Sequence, residues 1–136
     1  MAGTTPLQRT MGELRKLGIK CGKVETFNPY GGFRKPGGKP TGVRQDLFGI
    51  VDILCLDPAR GFIGVQCCGA DYAAHYRKMT EEKAQDCIDW LQTPGGKLEI
   101  WSWRKVKLKR GGLAIRWKPR VVELTMDDFE RKVRRK

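Results

Sequence analysis

Residues 47–56 (LFGIVDILCL) form the longest mostly apolar run of the chain and carry a single acid, Asp52, between β-branched and aliphatic neighbours. A run of this length reads as a buried strand, too short and too interrupted to span a bilayer. Pro58, Ala59, Arg60 and Gly61 then read as a tight turn, and residues 62–68 as the returning strand of a hairpin. Gln66 stands 14 residues after Asp52, again inside an apolar strand. An ionised carboxylate in such a setting is costly unless a cation or a donor group meets it. Two oxygen-bearing side chains on neighbouring strands can hold Mg²⁺ together with a backbone carbonyl and waters. The same pair can equally serve the fold, Asp52 by hydrogen-bonding a turn and Gln66 by satisfying a neighbour.

The flanking patterns place this hairpin among helices. Thr4 or Thr5 caps a helix that starts at Pro6 and runs to about Leu17, with Leu7, Met11, Leu14 and Leu17 at helical spacing and Gly18 as its stop. Residues 23–27 read as a short strand. Residues 28–42 hold three prolines and five glycines beside Arg34, Lys35 and Lys39, which predicts a mobile basic loop reaching to about residue 45 and including Arg44. Residues 70–92 turn helical, with Thr80 ahead of Glu81 and Glu82 as the expected cap of a restart. Residues 97–108 and 114–124 read as strands around the turn at Arg110. Thr125 and Asp128 resemble a capping box for a final helix within a basic tail, 125–136. This order predicts a single α+β domain over residues 1–136.

Charge is the second constraint. Lysine and arginine number 27 against 15 acids, a net charge of +12, and the excess is clustered. Between Arg104 and Arg120 stand eight basic residues, among them Lys105, Lys107, Lys109 and Arg110, and no acid. Such patterning points to a polyanion, nucleic acid first, because phosphate contacts release counterions. Trp101 and Trp103 share one strand face; they can stack on unpaired bases, although packing beneath the last helix is the favoured reading. Five cysteines (Cys21, Cys55, Cys67, Cys68, Cys87) show no CxxC spacing, so they read as buried thiols in a reducing compartment rather than as a zinc site with His75. The absence of an apolar leader adds the expectation of an intracellular, cytoplasmic protein with no membrane partner.

The order of elements, with an acid in the first hairpin strand and a polar residue in the second, resembles the PD-(D/E)XK nuclease superfamily over residues 11–106. Within it the likeness is nearest to archaeal and phage Holliday junction resolvases. The resemblance implies a restriction-endonuclease-like αβββαβ core, a central mixed sheet flanked by helices, with an extra C-terminal strand and helix. It implies Mg²⁺- or Mn²⁺-dependent DNA endonuclease activity in DNA recombination, carried out by a homodimer of phage or prokaryotic origin. Asp52 would take the motif aspartate and Gln66 the D/E position, both metal ligands, and Cys67 would lend its backbone carbonyl. The motif lysine falls at Cys68, and Lys78 in the following helix is the candidate replacement. The helix-1 glutamate falls near Gln8, with Glu13 or Glu25 as stand-ins. Asp46 is a candidate second metal ligand, on the face of Asp52 if the strand extends that far. His75 is a candidate general base or phosphate contact, and Arg77 joins the basic residues above as a candidate nucleic-acid contact. The departure at Cys68 keeps open a catalytically inactive nucleic-acid-binding module with the same fold. Charge alone also admits a basic component of a ribonucleoprotein or virion assembly.

Overall fold

The structure, a computed structural model, describes residues 4–24, 26–28, 43–107, 112 and 115–134. Glu25, Arg34, Lys35, Lys39, Lys109 and Arg110, with most of the expected basic loop, lie outside the described residues; Arg44 is described by its backbone only.

Helix α1 (Pro6–Lys16) begins where its sequence dictates. Thr5 Oγ1 accepts from Gln8 N at 3.2 Å and Gln8 Oε1 accepts from Thr5 N at 2.9 Å, while Pro6 occupies the first helical position. Gln8 is thereby committed to the cap. Gly18, at φ 77°, turns the chain out of the helix. Strand β1 (Lys20–Lys23) follows, and a two-stranded ribbon of β2 (Thr26–Asn28) and β3 (Val43–Gln45) stands apart from the main sheet. The single strand expected over 23–27 is thus divided between two sheets.

The main sheet has the order β1-β4-β5-β6-β7, with β4 (Ile53–Asp57), β5 (Gly61–Cys68), β6 (Gly96–Lys107) and β7 (Ile115–Leu124). Every neighbouring pair is antiparallel except β5 and β6, which are parallel. A parallel pair needs a crossover. Here it is α2 (Tyr72–Arg77), one π-helical turn (Lys78–Glu82) and α3 (Ala84–Gln92); α4 (Met126–Arg134) closes the described chain. The protein is therefore α+β, with a five-stranded mixed sheet flanked by helices. No helix among the described residues is long and apolar enough to cross a membrane.

Alternation along β6 divides the core. Leu98 and Ile100 face Ile50, Val51, Cys68, Met79, Cys87, Leu124 and Phe129, whereas Trp101 and Trp103 face Leu14, Ile53, Cys55, Ile63 and Val65. Trp103 Nε1 donates to Thr10 Oγ1 at 2.8 Å and Trp101 Nε1 to Glu99 Oε1 at 3.0 Å. Both indoles are buried with their polar atoms satisfied, so base stacking falls away for them, and they pack on the face of α1 and not beneath the last helix as expected. Glu99 is buried and held by Arg60 at 2.9 Å. Arg60→Ala would leave that carboxylate with Trp101 alone, and is expected to cost about 2 kcal/mol in urea unfolding at neutral pH.

Two expectations are corrected. The strand expected over 47–56 starts only at Ile53. Residues 47–51 form a tight turn, with Leu47 bridged to Val51 and with Phe48 and Gly49 at φ 56° and 74°. Ile50 and Val51 are fully buried in that turn, so apolarity there reports burial and not an extended backbone. Thr80 does not cap a helix. It lies buried inside the π turn, its Oγ1 donating to Tyr76 O at 2.8 Å. For Thr125 the expected box is half present, its N–H donating to Asp128 Oδ2 at 2.8 Å.

Candidate active site

Asp52 immediately precedes β4, and its backbone N–H donates to Val65 O at 2.9 Å, which aligns it with Gln66 of β5. The Asp52 carboxylate accepts through Oδ2 from Gln66 Nε2 at 2.5 Å and from Cys67 N at 2.8 Å. Asp46 reaches the same place from the other end of the 47–51 turn, its Oδ2 3.4 Å from Gln66 Nε2. Strand alternation does not carry it there. The turn does, since Gly49 N donates to Asp46 O and Leu47 N to Val51 O. Lys78 Nζ donates to Gln66 Oε1 at 2.7 Å and lies 4.0 Å from Asp46 Oδ2.

Four side chains distant in sequence therefore converge: two carboxylates, one amide and one ammonium. Lys78 is the first residue of the π turn, whose widened ring is closed by Lys83 N donating to Lys78 O at 2.8 Å. An inserted residue of this kind re-aims the side chains around it and recurs at functional sites. An open cleft of about 380 Å³ lined by Gln45, Asp46, Gly49 and Lys83 adjoins the cluster, so Asp46 forms its solvent side.

Burial first, and then the Asp46 carboxyl beside it, push Asp52 up from 3.8 to about 7. The Cys67 N–H and Gln66 pull the other way without offsetting this. A carboxylate so placed is poorly compensated by the protein itself, which is the electrostatic condition that a bound cation relieves. The donors are hard oxygens, the kind that suits Mg²⁺ or Mn²⁺.

Apart from Cys67, the remaining sequence candidates fall elsewhere. No hydrogen bond or ion pair joins Glu13 to the cluster among the described residues. Cys67 enters through its N–H; burial pushes its thiol far up. Arg77 is exposed, 4.0 Å from Glu81. Arg104, Lys105 and Lys107 are exposed along β6, and β7 sets Lys118 opposite Arg104 and Arg116 opposite Val106. Trp117 of β7 is half-exposed under Arg9, 3.8 Å from its ring centre, with Lys105 at 5.2 Å. Arg9 escaped the sequence reading because it lies in a helix remote from the basic runs.

His75 is not at the Asp52 cluster. Its Nε2 lies 3.2 Å from Asp71 Oδ2, and ligand atoms of Cys68, Asp71 and His75 all lie within 4.8 Å of one another, a group that could hold a metal ion. The expectation of plain buried thiols, with a zinc site involving His75 set aside for want of CxxC spacing, is corrected to this extent for Cys68. The signal was present as Cys-x₂-Asp-x₃-His, with Asp71 and His75 one helical turn apart. Spacing between cysteines does not report it, because the third member is a carboxylate, Asp71, and not a second thiol. No protein-family model, curated protein or solved structure matches this chain.

Proposed function

We propose that the protein is a metal-dependent endonuclease that hydrolyses phosphodiester bonds in DNA, with branched DNA such as the Holliday junction as the substrate class the resemblance implies. The observation that carries this is the convergence of Asp46, Asp52, Gln66 and Lys78 on one half-buried point beside an open cleft. The succession α1, β1, β4, β5, crossover helices and β6, with only β5 and β6 parallel, agrees with an αβββαβ core. The basic face supports a polyanionic substrate. Arg104 and Lys118 sit directly opposite across β6 and β7, a like-charge pair that is unfavourable until an anion lies between them.

Asp52 and Asp46 would hold Mg²⁺ or Mn²⁺; Gln66 turns its Nε2 to both carboxylates and its Oε1 to Lys78, so its oxygen would join the ligand set only with the amide turned over. When bound, the ion supplies Lewis-acid polarisation of the scissile phosphate and lowers the pKa of a coordinated water. Gln66 links the ligand set to Lys78. Lys78 supplies the positive charge that Cys68 cannot, stabilising charge that develops on the phosphate oxygens. Burial around Asp52 excludes bulk water and strengthens each of these interactions. The exposed cations of β6 and β7 hold flanking backbone.

The test is cleavage of labelled duplex, single-stranded, flap and four-way-junction DNA with Mg²⁺, Mn²⁺ or EDTA. Metal-dependent cutting that vanishes with Asp52→Ala supports the reading, and binding without cutting under any metal replaces it with the inactive DNA-binding module. Lys78→Ala is expected to lower the cleavage rate by about 10²–10³-fold while DNA binding changes little, in line with loss of one charge-stabilising donor.

A further inference from the structure

The Cys68–Asp71–His75 group differs in kind from the oxygen cluster. Cys68 ends β5, Asp71 is the N-cap residue of α2 and His75 lies within α2. Asp71 forgoes what an N-cap aspartate normally does: its carboxylate accepts no hydrogen bond from the helix N–H groups and is turned to His75 instead. The other imidazole nitrogen, Nδ1, is shielded from solvent and has no hydrogen-bond partner. A buried ring nitrogen without a partner is costly, and a thiol, a carboxylate and an imidazole gathered within 4.8 Å offer one donor of each kind to a single ion.

We infer that Cys68, Asp71 and His75 bind Zn²⁺ as three protein ligands, with the fourth position open to water on the exposed Asp71 side. Thiolate and imidazole favour Zn²⁺ over Mg²⁺, and three protein ligands with one open position is a recurrent zinc geometry. Bond lengths of about 2.0–2.3 Å place tetrahedral donors about 3.5 Å apart, so a group whose ligand atoms all lie within 4.8 Å of one another contracts by at most about 1.3 Å on binding. On binding, the Cys68 S–H bond breaks, a Zn–S bond forms and the proton passes to solvent, with no change of oxidation state. The ion ties the end of β5 to α2, a helix of six residues that leads directly into Lys78. Its occupancy therefore holds Lys78 against Gln66; this second role rests on the nuclease reading, whereas the binding does not.

Cobalt titration of the metal-stripped full chain tests the site. One equivalent of Co²⁺ is expected to give a thiolate-to-cobalt charge-transfer band with tetrahedral d–d transitions, displaced by Zn²⁺. Cys68→Ser should abolish the charge-transfer band, and His75→Ala should weaken binding by about a hundredfold or more, beyond the 10–100-fold that outer-shell partners contribute. Asp52→Ala should leave the spectrum unchanged. A missing band, or one that survives Cys68→Ser, overturns the site. If Cys68→Ser does not fold, unweakened binding by His75→Ala overturns it equally. A band without DNA cleavage keeps the zinc site and removes the nuclease reading, and cleavage without a band does the reverse.

Discussion

Asp52→Asn is expected to abolish metal-dependent cleavage and, in EDTA at pH 8, to raise the Tm of the protein. The carboxyl titrates at about 7 in the folded protein against 3.8 as a free group, because burial and then Asp46 disfavour its charge. A group raised in the folded state contributes stability that is fully present below about pH 4 and is lost as pH climbs through about 7. At pH 8 the folded chain thus carries an ionised, poorly compensated carboxylate, a burden on the order of 4 kcal/mol. Asparagine keeps an oxygen for the Cys67 N–H and Gln66 Nε2, and offers its own N–H to Asp46. Removing the charge should therefore raise Tm by about 5–10 °C. Cleavage should fall by at least about a thousandfold, roughly 4 kcal/mol of transition-state stabilisation. Mg²⁺ should stabilise the native chain at pH 8 and leave the variant unmoved, as a scan with and without the ion would read. A variant less stable than the native protein in EDTA at pH 8 would contradict the electrostatic account of Asp52.

The largest loss of stability is expected from Gly61→Ala, at the opposite end of β5 from Gln66. Gly61 opens β5 at φ 112°, where side chains are strained, and a Cβ there would lie 2.2 Å from Gly95 O. That carbonyl accepts from Phe62 N at 2.8 Å and pins the end of the crossover against the start of the parallel β5–β6 pair. Neither backbone can yield without breaking the register. A cost of at least about 3 kcal/mol follows from the strain and the displaced hydrogen bond, or roughly 10 °C in Tm. Gly12→Ala in the middle of α1 is the matched control. Nothing lies within 4 Å of its added Cβ, so it should stabilise by about 0.5–1 kcal/mol. Equal effects at both sites would show that the close approach at Gly61 carries no weight.

What local sequence determined about this protein is what local energetics controls. Thr5, Pro6 and Gly18 set the limits of α1 because a cap, a preset φ and a left-handed glycine act within a few residues. The turn at residues 58–61 and the spacing of 14 placed Gln66 beside Asp52, since a short turn leaves a hairpin little choice of register. The two faces of β6 were likewise legible as alternation. Tertiary structure alone decided the rest. It folded the apolar run 47–51 into a turn that brings Asp46 back to Asp52, because burial satisfies Ile50 and Val51 in any backbone shape that hides them. It widened one helical turn so that Lys78 reaches Gln66, and it gathered Cys68, Asp71 and His75 across the junction of a strand and a helix. Periodicity reports which face of an element is buried. Which side chains meet where two elements join depends on how those elements pack, and no pattern within either one encodes that.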